Sequence, residues 1–213
     1  MNGREPAPDR RQHAPAAARN AGPVLDVLRV VLPDQGVVLE VGSGTGEHVV
    51  AFAAALPRLV WLPSDPDPAA RASIAGWTSH AGLGNVAPPR DLDVLRPGWS
   101  AGLPALAAVL AINLLHVALP AAVIGLLDGA ASCLPPGAPL LVYGPFIRHD
   151  RPTAPTNAAF DRMLRSWDPV FGLPDLDALV DAARPRGLLL ERIVEMPANN
   201  LTLVLRRAAD DAG

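Results

Sequence analysis

The chain has 213 residues, with 18 basic against 21 acidic side chains, a net charge of −3 and a pI near 5.9. This length suits one domain with a substantial core, and the charge balance lacks the basic patch that would announce nucleic acid as a partner. One cysteine, Cys133, excludes a disulfide framework and reads as a small core filler; five histidines without an H-E-x-x-H or comparable spacing point to no metal site.

In chain order, residues 1–18 are rich in Pro, Ala and Arg and lack the apolar stretch of a secretory signal, so they read as a flexible tail. The domain is expected over 19–207, with a second short tail over 208–213. Pro23 to Leu32 reads as an entry helix. Val37 to Val41 is an apolar strand that empties through Glu40 into a loop bearing Gly42, Ser43, Gly44 and Gly46, and a helix follows from Glu47 to Leu56. Glycine suits such a loop because a residue without Cβ lets the main chain approach a ligand and take positive φ cheaply. Strand, glycine loop and helix in series open a nucleotide-binding doubly wound sheet.

The loop's chemistry narrows the ligand. A dinucleotide fingerprint wants glycine or alanine where Glu47 stands, since a carboxylate there would face a pyrophosphate at a helix N-terminus. The chain contains no lysine, which excludes a phosphate-binding P-loop. A glycine-rich turn with no ligand is the bland alternative. Leu59 to Leu62 reads as the second strand, ending at Pro63-Ser64-Asp65. Asp65 lies about twenty residues past the glycines, where a carboxylate can accept from both hydroxyls of a ribose. The turn formers Ser-Asp-Pro-Asp-Pro can equally cap a helix from Ala69 to Ser79; Asp65 is assigned to binding and Asp67 to the cap.

A short third strand is expected near Val86, ahead of Asp91 to Val94. No charged residue lies between Arg96 and Asp128, a span long enough for a bilayer. Pro104, Asn113, His116 and Pro120 interrupt it, and a doubly buried strand, Leu106 to Ile112, followed by a helix, Ala121 to Leu134, accounts for the same residues better. Neither a membrane nor nucleic acid is expected as a partner, and the cytoplasm is the expected compartment. A further strand is expected at Leu140 to Tyr143, helices at Asn157 to Ser166 and Leu176 to Arg184, and a closing hairpin from Leu188 to Val194 and Leu201 to Arg206. Alternating strands and helices with a final hairpin predict an α/β fold with a mostly parallel sheet, helices on both faces and one antiparallel strand near an edge.

Ligands of such sheets collect at the carboxyl ends of strands. Asp93 there can accept from an adenine amino group, or be a plain loop aspartate. Asn113 and His116 are the strongly polar residues of the uncharged run, so each is a buried hydrogen bonder or a site residue. Tyr143 is either a core aromatic or a site hydroxyl. Asn199 and Asn200 can be simple turn residues, yet a hairpin leaving the carboxyl end of a strand opens on the ligand side.

Taken together, these motifs resemble the uncharacterised class I S-adenosylmethionine-dependent methyltransferase-like family that includes the methyltransferase-like protein 26 group. The matching pieces are Arg19-Asn20 with Pro23-Val24-Leu25, LEVGSGTGEH at 39–48, WLPSD at 61–65, Asn85-Val86, LDV at 92–94, INLLHV at 112–117, YGPF at 143–146, Thr156-Asn157 with Phe160-Asp161, Asp168-Pro169, and MPANN at 196–200. The chain departs from the family's pattern at Glu47, Thr156, Phe171 and Pro174 and around Pro120. The resemblance implies a seven-stranded Rossmann-like methyltransferase fold and S-adenosylmethionine as cofactor, and it implies no particular substrate. On it, Glu40, Gly42, Ser43, Gly44, Gly46, Asp65, Asp93 and Asn113 are the expected cofactor-binding residues. Arg19, Asn20, Asn157, Asn199 and Asn200 are expected to line the substrate pocket, with Arg19, Asn20 and Asn157 as a cap. His116 is the first candidate for a catalytic base and Tyr143 the second. The expected activity is methyl transfer to a small-molecule acceptor, with no metal and no oligomeric state assigned. A non-catalytic binding protein for the same cofactor and an NAD(P)-dependent oxidoreductase are the alternatives.

Overall fold

A computed structural model describes residues 9–151 and 153–209; most of the expected second tail, and the N-terminal half of the first, lie outside them. Helices α1 (Pro15–Val31), α2 (Glu47–Ala55), α3 (Pro68–Ala81), α4 (Pro120–Cys133), α5 (Pro155–Trp167) and α6 (Leu176–Ala183) alternate with strands β1 (Gly36–Val41), β2 (Leu59–Ser64), β3 (Leu106–Ile112) and β4 (Pro139–Pro145); a hairpin of β5 (Leu188–Met196) and β6 (Asn200–Arg207) closes the chain. The sheet runs β2-β1-β3-β4-β6-β5. The first four strands are parallel, and β6 enters antiparallel between β4 and β5.

Side chains alternate across each strand and so divide the core into two layers. Leu39, Val41, Val109, Ala111, Leu140 and Val142 pack with α4 and α6 on one face. Val38, Ala108, Leu110, Ile112, Leu141 and Tyr143 pack with α1, α2 and α3 on the other. The alternation that sends Val38 and Tyr143 toward α1 and α2 puts Glu40 on that face too. The uncharged run is therefore a doubly buried strand and a core helix, and among the described residues no helix is long and apolar enough to cross a membrane.

Two expectations need correction. The described residues form a six-stranded sheet, not a seven-stranded one. The segment around Val86 does follow the outer edge of β2, but only through single bridges from Val86 to Trp61 and from Arg90 to Ser64. Pro88 and Pro89 fall between those bridges, and Pro63 lies opposite them; none of the three has an N–H to donate, so no continuous ladder forms. The entry helix also starts eight residues earlier than the entry helix read from Pro23, at Pro15, with Pro23 inside it. Pro23 only withholds a hydrogen bond from the carbonyl one turn back, that of Arg19, and the buried stripe of Ala17, Val24, Val27, Leu28 and Val31 holds the helix through it.

Candidate active site

The site grows from the end of β1. Gly42, Gly44 and Gly46 all have positive φ, of 67°, 54° and 89°. At Gly46 a Cβ would lie 2.7 Å from the Ile74 Cα, so glycine is what lets the loop pass against α3. At Gly44 a Cβ would meet nothing within 4 Å, because this part of the loop faces open space. The loop is rigid. Buried Ser43 donates its N–H to the Ser64 carbonyl at 2.8 Å, and its hydroxyl accepts from Ser64 N–H at 3.2 Å, tying the loop to β2.

Asp65, 9% exposed, braces the same loop: Oδ2 accepts from Gly44 N–H at 3.0 Å and Oδ1 from Asp67 N–H at 2.9 Å. Each oxygen keeps a second lone pair for a ligand. Asp67 is the helix cap, accepting from Ala69 N–H at 2.8 Å. Glu40 is 1% exposed, and its Oε2 has no hydrogen-bond partner among the described residues. Desolvation raises its carboxyl to about 7; the Ser43 hydroxyl pulls the other way, and the nearby Asp65 charge adds to the rise. A buried carboxyl oxygen without a partner wants a donor or a cation.

Glu47 does something the sequence argument did not anticipate. Its carboxylate accepts from Ala14 N–H at 2.7 Å and from the Thr45 hydroxyl at 3.0 Å, with His13 Nδ1 at 3.3 Å. It thereby clamps a strap of residues 9–14 onto the glycine loop. The strap continues along α3, where Gln12 N–H donates to Ser73 Oγ at 2.8 Å, Trp77 Nε1–H donates to the Gln12 carbonyl at 2.9 Å, and Arg11 sits 4.9 Å from the Trp77 ring centre. Residues 11–14 thus lie against the domain and Pro15 begins α1, within the stretch that composition alone reads as tail. The signal missed was the pairing of an acid beside the glycines with Trp77 and Ser73 one turn apart on α3.

Two cavities lie on either side of the segment 113–117, and the smaller of them reaches the loop at Gly42. The smaller, about 300 Å³, is lined by Gly42, Pro66, Leu92, Asp93, Val94, Leu114 and Phe171 among others. Its walls are apolar and Asp93 is its single ionisable group; Asp93 Oδ1 is engaged by Leu95 N–H at 2.9 Å, which leaves Oδ2. The larger, about 690 Å³, brings together Arg19 and Asn20 of α1, Asn113, His116, Tyr143, Asn157 of α5 and Asn200. Residues from five separate stretches of chain converge there.

The polar groups of this cavity are pre-set. Tyr143, 4% exposed, accepts at Oη from Asn200 Nδ2 at 3.0 Å. Burial raises its hydroxyl above the ordinary value, and hydrogen bonding to Asn20 and Asn200 partly offsets the rise. Asn20 Oδ1 in turn accepts from His48 Nε2 at 2.5 Å; since an amide oxygen cannot donate, the ring nitrogen carries the proton. Burial lowers His48 to about 4 against the pull of Glu47. Desolvation lowers His116 to about 4 as well, and its ring stands edge-on to Phe160 at 5.4 Å without a hydrogen bond to any described residue. Asn113 holds the left-handed φ of 56° that asparagine tolerates, donating its N–H to the Tyr143 carbonyl at 2.9 Å.

Asn199 departs from the group. It lines a separate groove of about 90 Å³ with Arg148, Arg151 and Glu195. There it fixes the turn, with Nδ2 donating to Thr156 Oγ1 at 3.0 Å and its carbonyl accepting from Asn157 Nδ2 at 2.9 Å. His48, not singled out from sequence, joins the network through Asn20.

Comparison with known proteins agrees with this architecture. The family whose model matches residues 11–207 is described as "Protein of unknown function (DUF938)". Among solved structures, an O-methyltransferase family protein from Burkholderia thailandensis superposes with a TM-score of 0.77 at 20% identity, covering 92% of this chain and 58% of that one. The mitomycin 7-O-methyltransferase MmcR gives 0.74 at 21% identity, over 91% and 54%. Human N-acetylserotonin methyltransferase, solved with SAM, gives 0.71 at 15%, over 91% and 53%. The chain therefore spans a little over half the length of these proteins, and at such identities the likeness establishes a Rossmann-like methyltransferase fold.

Proposed function

The chain belongs to the DUF938 family, and we propose that it is an S-adenosylmethionine-dependent methyltransferase acting on a small-molecule acceptor. The observation that carries this reading is a pair of cavities on either side of the segment 113–117, an apolar slot that reaches the glycine loop at Gly42 and holds a single carboxylate, and a larger polar chamber. The narrower kinship with the methyltransferase-like protein 26 group rests on the sequence motifs.

The residues fit the cofactor. Open space over Gly44 is a cradle for a ligand without phosphates, and the partnerless Oε2 of buried Glu40 suits an ammonium or the water that carries one. Asp65, 9% exposed, retains lone pairs for ribose hydroxyls, and Asp93 at the apolar slot suits an adenine amino group. When bound, S-adenosylmethionine supplies a methyl group on a positively charged sulfur. The protein's part is to hold an acceptor in line with that methyl group and to exclude water.

The catalytic assignments sharpen. His116 at about 4 stays a neutral imidazole at physiological pH, too weak a base to take a proton from an alcohol. Tyr143, raised by burial, keeps its proton. Both act as hydrogen-bonding positioners of the acceptor rather than as strong bases. Glu47, turned to the strap, no longer argues against a dinucleotide by itself. Calorimetric titration with S-adenosylhomocysteine and with NADH tests the reading. Binding of the first and not the second supports it; no heat with S-adenosylhomocysteine at millimolar concentration, or preference for NADH, overturns it.

A further inference from the structure

The larger cavity is electrically one-sided. Its lining holds Arg19, an exposed side chain of α1, and no Asp or Glu. Arg19 forms no ion pair or hydrogen bond with any described residue. Glu195, in the adjoining groove, is held at 2.8 Å by Arg148 and at 3.3 Å by Arg151, so it is not a counter-charge for Arg19.

Two neutral donors line the same cavity. Tyr143 Oη already accepts from Asn200, and Asn20 also bonds it, which leaves the hydroxyl proton as what Tyr143 can offer to a ligand. A neutral His116 ring adds one N–H. The Nδ2 groups of Asn157 and Asn200 are engaged within the wall, so what these amides add to the lining is chiefly their Oδ1 acceptors, which suit the uncharged polar part of a ligand. The cavity thus presents a cation and at least two neutral donors, between apolar surfaces of Pro23, Pro145 and Phe160. A cation that no carboxylate of the lining answers matches a negative charge, and a planar guanidinium can bind both oxygens of one carboxylate.

We propose that this cavity selects the acceptor by its carboxylate: the substrate is a small monoanionic carboxylic acid whose charged group sits between Arg19 and Tyr143, with its apolar part against Phe160. The inference rests on the methyltransferase reading for the word acceptor, but the anion site itself does not. None of the glycine-loop residues lines this cavity, which separates it from the cradle assigned to the cofactor.

The test is ligand-observed NMR on the full chain, with and without S-adenosylhomocysteine, using benzoate, benzamide, benzylamine and phenyl phosphate. Benzoate is expected to bind about tenfold or more tightly than benzamide and benzylamine, the gap expected from one charge-assisted hydrogen bond. Arg19→Met should weaken benzoate about tenfold and Arg19→Lys should restore part of it, while Tyr143→Phe weakens it less. The proposal is overturned if benzoate does not bind at tens of millimolar, if the amide or the amine binds equally, if phenyl phosphate is preferred, or if Arg19→Met leaves benzoate unchanged. It is also overturned if Arg19→Met weakens S-adenosylhomocysteine and not benzoate, because the guanidinium would then serve the cofactor's own carboxylate. Benzoate binding without any S-adenosylhomocysteine binding would sink the methyltransferase reading and leave the anion site standing; the reverse result would sink this inference alone.

Discussion

The two cavities on either side of the segment 113–117 are built from opposite materials. The smaller one is walled by Pro66, Leu92, Val94, Leu114 and Phe171 and carries one ionisable group, Asp93. The larger one is framed by amides, a phenol, an imidazole and a guanidinium contributed by α1, the end of β3, β4, α5 and the β5–β6 turn. A flat apolar group with a single donor is recognised by shape and one hydrogen bond; a polar acceptor is recognised by a fixed array of donors. The difference shows why the first can come from short loops next to β1, while the second needs distant segments brought together. It also locates where specificity for an acceptor is set.

The comparison can be broken most severely at the glycine loop, which borders the smaller cavity through Gly42 and not the larger one. Gly46→Ala puts a methyl group 2.7 Å from the Ile74 backbone at a φ of 89°, so a loss of about 3 kcal/mol or more is expected in chemical denaturation. Gly44→Ala, where a Cβ meets nothing within 4 Å, should cost only about 1–2 kcal/mol of strain and still fold. Its added methyl occupies the cradle, so S-adenosylhomocysteine affinity should fall at least about tenfold in calorimetry. A Gly44→Ala protein that binds as wild type would remove the loop from the cofactor's path.

Next comes a crossed pair. Asp93→Ala should weaken S-adenosylhomocysteine by about tenfold through the lost charge-assisted hydrogen bond and leave benzoate binding alone. Tyr143→Phe should do the reverse by several fold. If both variants weaken both ligands equally, the two cavities are one site and the contrast drawn between them is wrong.

The smallest effects are in pH. Glu40 sits at about 7 against an ordinary 4.5, so the folded chain keeps a proton there that the unfolded chain releases; stability falls as pH rises through that window. His48 and His116, lowered from 6.5 to about 4, act oppositely, and their contribution is lost as pH falls from 6.5 toward 4. Glu40→Gln should therefore steepen the rise of stability between about pH 5 and 7, and His116→Gln should flatten it, in denaturation midpoints. If a bound ammonium needs ionised Glu40, S-adenosylhomocysteine affinity should also rise through pH 7 in the wild type and not in Glu40→Gln.

Much of this was legible beforehand. The run from Leu106 to Ile112 is a strand over those same residues because a doubly buried strand has a pattern that no charge interrupts. The glycine loop, the Asp67 helix cap and the closing hairpin were equally readable, since positive φ, turn chemistry and period-two burial are local properties. The strand near Val86 failed because the apolar pattern was weighed without the missing N–H groups of Pro88, Pro89 and Pro63. Helix α1 starts before Pro23 because its buried stripe holds the helix through a proline that, from sequence alone, reads as a first turn.

Composition and local periodicity determined the α/β class, the order of elements, the two buried faces and the loop that opens the site. Tertiary structure alone decided that Glu47 clamps residues 9–14, that His48 joins Asn20, that Asn199 leaves the pocket while Asn200 stays, and that Arg19 stands opposite no acid. Backbone preference acts over a few neighbouring residues, whereas a side chain's partner, charge balance and degree of desolvation depend on segments far apart in the chain.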